Sequence, residues 1–254
     1  QEILSKREQP TITASPTISL TFGQATNYEV GTSVTPSWSA SLSAGAYTYG
    51  PSTGITAKAW SISDTDGNTA TTATGSFPAF TVEDGDNYSI TASVTHDAGA
   101  IAYDNLGDES NPNVRINANS ASAVTKGAIK GYRSWFLYIG TDNESTIDSA
   151  FIRKMTNKGN GSSASTQNNQ AVASGTKRIV IAIPKAVSGS KFTYNKKLTS
   201  VIDVDGMNLD VFGNFTKSEV MVEGKDGATA VKYNVWVCEN ANGLAATKYN
   251  LVIG

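Results

Sequence analysis

The chain has 254 residues with 20 basic and 22 acidic side chains, and only 17% of its residues are charged. Two ordinary domains fit that length better than one, since cores usually stop growing at roughly 100 to 200 residues per domain. So even a charge balance provides no broad field for drawing in nucleic acid or an anionic membrane.

A single cysteine, Cys238, excludes an internal disulfide and a cysteine-based zinc site. It lies in the alternating run YNVWVC and reads as a small buried or half-buried residue. No apolar stretch approaches the roughly 20 residues that span a bilayer, so membrane insertion is not expected. Ser, Thr, Asn, Gly and Ala stand where Lys and Glu would cover a cytosolic surface, which suits a β-rich extracellular or particle-borne protein.

In chain order, residues 1–10, QEILSKREQP, read as a charged arm or linker leading to Pro10. They lack both a signal-peptide core and an initiating Met, so Gln1 is expected to be an interior residue of a longer chain. From Thr11 the chain breaks into short alternating runs: TITASPTISLTFG, SVTPSW, ITAKAWSIS, FTVED and YSITASVTH. Gly31, Pro36, Gly45, Gly54 and the Asp-Gly turns at 66–67 and 84–85 punctuate them, the spacing of a β sandwich. The expected fold is mainly β, with an N-terminal Ig-like β sandwich over 11–122. The cysteine pair of a true immunoglobulin domain is absent, and Trp38 and Trp60 are the expected core anchors, with sugar stacking as the other use of such rings.

A possible strand at 114–116 precedes a boundary placed near Ser122. Residues 123–254 are expected to form a second β-rich domain with one packed helix near 145–156. It opens with one strand, GYRSWFLYIG, and continues into the helix STIDSAFIRKM, which Ser145 would cap with Asp148 three residues on. Ile147, Phe151 and Met155 share one helix face, and Lys154 and Lys158 suit its C-terminal end. The polar run 157–175 reads as a mobile loop or hairpin tip. KRIVIAIPKA at 177–186, EVMVEGKDGATAVKYNVWVC at 219–238 and the terminal KYNLVIG read as strands, and the beginning and end of this domain are expected to be exposed edges.

Chemistry is sparse in the residue pattern. His96 is the only histidine, no Gly-x-Ser-x-Gly elbow is present, and phosphate-binding loops are missing. Of the acids, Asp64 and Asp66 in SDTDGN and Asp203 and Asp205 in DVDGMNLD place oxygens at alternate positions around a glycine, as a calcium loop does. Neither run completes a twelve-residue loop with its terminal Glu, and the plainer reading is that these are turn acids bonding their own backbone. The lysine-rich KFTYNKKLT at 191–199 reads as a solvated strand or loop rather than a nucleic-acid site. Asn87, Asn143, Asn160 and Asn214 lie in glycosylation sequons, which matter only on a eukaryotic secretory route.

Taken as an ordered set, YEVGTSVTPSW, AYTYGPSTGI, GYRSWFLYIGT with FIRKM, RIVIAIPKA and VMVEGKDGATAVKYNVWV resemble a two-part β module of tailed-bacteriophage virion proteins, of the neck, tail and appendage type of gut-associated phages. The resemblance covers about Thr11 to Gly254. It implies a non-enzymatic virion component without a cofactor, assembled in the host bacterial cytoplasm, its partners being other virion proteins and further copies of itself in rings or trimers. The residues it singles out are structural: Tyr132, Arg133, Trp135 and Phe136 opening the second domain, Arg153, Pro184 closing a strand, and Trp236 in the last core ladder. Arg133 and Arg153 are expected either to reach neighbouring backbone or carboxylates or to form salt bridges inside the domain. A receptor-binding module contacting a host surface glycan is the second reading, and a carbohydrate-degrading tail enzyme the third.

Overall fold

The computed structural model describes residues 6–119 and 121–254; the first half of the expected arm lies outside the described residues. In chain order its strands are β1 (Ile12–Ala14), β2 (Thr17–Phe22), β3 (Asn27–Glu29), β4 (Ser33–Val34), β5 (Ser37–Ser43), β6 (Ala46–Tyr47), β7 (Ala59–Asp64), β8 (Thr69–Ala70), β9 (Thr74–Ser76), β10 (Phe80–Thr81) and β11 (Tyr88–Thr95). They continue with β12 (Val124–Tyr132), β13 (Ser134–Gly140), helix α1 (Ser149–Arg153), β14 (Asn157–Asn160), β15 (Ser165–Val172), β16 (Thr176–Pro184), β17 (Leu198–Asp203), β18 (Leu209–Asp210), β19 (Thr216–Val222), β20 (Val231–Leu244) and β21 (Thr247–Ile253). The protein is mainly β with one short α-helix, as the composition and periodicity lead one to expect.

Two compact units result. One takes the chain up to Thr26 with Thr35–Ala79 and Asn87–Ala128; the other takes Asn27–Val34, Phe80–Asp86 and Ile129–Gly254. Two early segments therefore count with the later unit, because their main chain is bonded there. The N–H of Val30 donates to the carbonyl of Tyr132 at 2.9 Å, the N–H of Lys225 to Val30 at 2.7 Å, and the N–H of Lys191 to Asp84 at 3.1 Å. Pro36 marks one such exit: SVTPSW is not one strand, since Ser33–Val34 pairs with Phe80–Thr81 while Ser37–Ser43 pairs with β2. A residue before proline is pushed out of regular register and the proline itself has no ladder donor.

The first unit is sandwich-like. β5 lies between β2 and β9, and β11 runs beside β7, which carries β8. Alternation is strict on β11, where Tyr88, Ile90, Ala92 and Val94 are buried and Ser89, Thr91 and Ser93 between them are not. Trp38 is 5% exposed, with its ring 4.4 Å from that of Phe77, whereas Trp60 is half-buried opposite Val94. The expected strand at 114–116 does not form. That segment serves instead as a hydrogen-bonding wall, its Val114 and Ile116 carbonyls accepting from Ala102 and Gly99.

In the second unit two sheets face each other. One has the order β14-β13-β16-β20-β19 and the other β15-β21-β17-β18. Between them lie Trp135, Leu137, Ile179, Ile181, Ile183, Trp236 and Cys238 from the first sheet and Leu198, Val201, Tyr249, Leu251 and Ile253 from the second. On the outer face of the first sheet, Phe136, Val180, Ala182, Tyr233 and Val235 pack with Ile152 and Met155 from the helical segment. β16 is thus covered on both faces, which is why residues 179–184 read as an unbroken apolar run and are buried throughout. At roughly 1.5–3 kcal/mol per fully buried aliphatic side chain, this strand is the centre of the unit's stability.

GYRSWFLYIG is two strands with a break at Arg133, and α1 is shorter than its pattern suggests. Asp148, not Ser145, caps it, its carboxylate accepting from the N–H of Phe151 at 2.8 Å. Ser145 is held one turn earlier, where the Asp142 carboxylate accepts from the N–H groups of Glu144 and Ser145 and from the Ser145 hydroxyl. Lys158 lies beyond the helix in β14.

The polar run 157–175 is not a free loop. β14 pairs with β13, and β15 pairs with β21, so the run covers one side of each sheet. The beginning and end of the second domain are consequently internal strands rather than edges. The edges that remain are modified: β15 carries an irregularity between Gln167 and Gln170, and Asn169 there has φ 52. β19 sets Lys217 over Trp236 at 5.4 Å and Glu219 against Lys185 at 2.5 Å, and charges turned inward on an edge strand discourage open-ended pairing.

Candidate functional site

The densest group of predicted residues lies at the break between β12 and β13. Arg133 is 1% exposed; its Nε and Nη2 donate to the two carboxylate oxygens of Asp84 at 3.0 and 2.5 Å. A bidentate fork of this kind fixes both side chains in one plane. The main chain of Arg133 is held too: its N–H donates to the Tyr194 hydroxyl at 2.8 Å, and its carbonyl accepts from Gly161 at 2.8 Å.

A second ion cluster involves the neighbouring strands. Glu29 accepts hydrogen bonds from Arg153 and from Lys158, the latter at 2.7 Å. The guanidinium of Arg153 stands 5.2 Å, and the ammonium of Lys158 5.9 Å, from the centre of the Phe136 ring. Burial by itself raises the Glu29 pKa; hydrogen bonds and charge from Arg153 and Lys158 more than offset this and hold it below the ordinary value. Burial pushes the hydroxyls of Tyr233, Tyr194 and Tyr132 up, so all three stay protonated and neutral.

Four predicted residues, Tyr132, Arg133, Phe136 and Arg153, therefore meet around these carboxylates, while Trp135 and Trp236 belong to the core between the sheets. Pro184 closes β16 opposite Tyr233. In the sequence Asp84 reads as a turn acid and Glu29 has no assigned role; a carboxylate beside a turn glycine and one in a short strand give no sign of a guanidinium far along the chain.

The acids considered for calcium lie in two separate hairpins. Asp64 accepts from the N–H and the side-chain amide of Asn68, both at 2.7 Å, and from the Tyr88 hydroxyl at 2.8 Å. Asp203 accepts from the N–H of Gly206 at 3.0 Å and from the Thr247 hydroxyl. Asp66 and Asp205 are exposed on the same turns. Among the described residues no group of three or more His, Cys, Asp or Glu is arranged to hold a metal ion. His96 is 1% exposed and its Nδ1 is 2.8 Å from the Asp97 carbonyl; burial, then the nearby Glu239, raises the Cys238 pKa, leaving a neutral thiol.

Residues 6–9, part of the run read as an arm or linker, are anchored to residues 104–108. Arg7 pairs with Asp104 at 2.9 Å and Asp108 at 2.5 Å, and Asn105 exchanges hydrogen bonds with Lys6 and Glu8.

Two grooves of the second unit lie beside α1. A groove of about 460 Å³ is lined by Tyr138, Asp142, Asp148, Phe151, Lys154 and Met155 among others. An adjoining one of about 500 Å³ shares Tyr138, Lys154 and Met155 and extends to Asn157 and Gln170. The rings of Tyr138 and Phe151 meet edge to face at 5.2 Å. Neither groove was foreseen, because it is formed by the end of β13, the helix and the two polar strands read as a loop. No protein-family model, no curated protein and no solved structure matches this chain.

Proposed function

We propose that the chain is a non-enzymatic structural module of a tailed-bacteriophage virion, of neck, tail or appendage type, that works through protein–protein assembly and forms homo-oligomers. The reading rests on the ordered motifs of the sequence and on one observation: the groups with chemical potential are engaged in holding the chain. Arg133 and Asp84 are paired, Glu29 is clamped by two cations, and Asp64 and Asp203 accept hydrogen bonds from their own turns and from the adjoining strands. In such a protein the contact surfaces are loops, grooves and sheet edges. Light scattering of the purified chain is expected to give a defined oligomer, or the chain to bind isolated virions; a monomer with no affinity for any virion protein refutes the reading.

A second reading, a glycan-binding adhesin, is favoured by the groove where Tyr138 and Phe151 stand beside Asp142, Asp148 and Lys154. Aromatic faces with short polar neighbours suit sugars. It predicts glycan-array binding that Tyr138→Ala abolishes.

A further inference from the structure

One edge of the five-stranded sheet is only half covered. β14 lies against Ser134–Leu137 and ends with Asn157 opposite Leu137, whereas β13 continues to Gly140 against β16. The Arg133 carbonyl accepts from Gly161 across this edge, and the direction of main-chain groups alternates along a strand. Trp135, Leu137 and Ile139 therefore turn their N–H and C=O groups to the β14 side. The first two have Gly159 and Asn157 opposite them; Ile139 has no strand there, and its main chain has no hydrogen-bond partner on that side among the described residues.

The reason is local. Met155 is 5% exposed, packed in the outer-face core, and its N–H donates to Ile152 at 3.1 Å. The chain before Asn157 is thereby drawn off the edge into the helical segment. What is left is the groove of about 500 Å³, with the Ile139 edge as one wall and Gln170, from the edge strand of the opposite sheet, on another. Lys154 is its only charged lining residue and makes no ion pair among the described residues. The carboxylates on the other side of Lys154, Asp142 and Asp148, already accept from the Ser145 hydroxyl and the Phe151 N–H.

We propose that this edge receives an extended polypeptide segment of a partner protein, which adds a short strand at Ile139 in continuation of β14 and sets a carboxylate against Lys154. An unpaired N–H and C=O on one residue is the element that strand addition uses, with side chains in flanking pockets giving selectivity. The inference deepens the assembly reading and rests on it.

The test is a selection of random ten-residue displayed peptides on the full chain, followed by synthesis of those enriched. Enriched peptides are expected to carry an acidic residue among alternating apolar ones and to shift the backbone amide resonances of Ile139 and Gln170. Methylating the peptide nitrogen that faces Ile139 should weaken binding at least tenfold, as should Lys154→Gln, which is expected to leave the unfolding midpoint unchanged. The N-methylated peptide needs no change to the protein, so its effect is independent of folding. No enriched peptide moving the Ile139 signal, or N-methylation without effect, overturns the proposal; so does a panel of neutral and acidic oligosaccharides that moves those signals when peptides do not. Failure here concerns this edge alone, whereas failure of the assembly reading shows in the oligomer and virion-binding measurements.

Discussion

The Arg133 guanidinium donates two hydrogen bonds to the carboxylate of Asp84, a residue 49 positions earlier, and does so with its side chain only 1% exposed. The cation has left water and the carboxylate keeps only 18% of its side chain exposed, so the guanidinium depends on its partner. Asp84→Ala leaves a buried cation without its partner and is expected to cost about 3–5 kcal/mol in urea unfolding. Arg133→Met with Asp84→Leu should cost much less than the two single changes added together, since the pair is removed as a unit. A simple sum from the double-mutant cycle would disprove the coupling.

Acid should weaken the fold through Glu29. Its ordinary value is 4.5 and its value in the folded protein is lower. The folded chain therefore binds this proton less readily than the unfolded one. The stability it contributes is complete above the unfolded value and is lost as pH falls through the folded value. Urea midpoints taken from about pH 5 to about pH 3 should fall more steeply in the native chain than in Glu29→Gln; equal slopes would exclude the clamp.

Gly31 is required by its surroundings. It has φ 95, and a Cβ built on it would lie 1.9 Å from the carbonyl oxygen of Lys225. Gly31→Ala combines left-handed strain with a backbone collision, and a loss of about 2 kcal/mol or more is expected in thermal or denaturant unfolding. Loss below about 0.5 kcal/mol would show that the segment can move aside.

Ile181 is 1% exposed and lies at the centre of the double-faced strand β16. Ile181→Ala is expected to destabilise the chain by about 2–5 kcal/mol. By contrast, Asp148→Ala removes one cap from a five-residue helix and should cost about 1 kcal/mol. Denaturant midpoints that reversed this order would mean that the helix, and not the sheet, dominates the unit.

Period-two alternation and β-branched runs report local burial directly, and so the β class, most of β11, β16, β20 and β21, and the buried Trp38 are legible in the sequence alone. It could not determine which strands are edges. Residues 157–175 look like a loop because edge strands bury little and have no need of apolar side chains, yet their main chain closes one side of both sheets. Nor could it join Arg133 to Asp84 or Glu29 to Arg153 and Lys158, since ion pairing across 49, 124 and 129 residues leaves no mark in spacing. Those pairs come from the folding together of distant segments, and the open edge at Ile139 from the path the chain takes when Met155 enters the core.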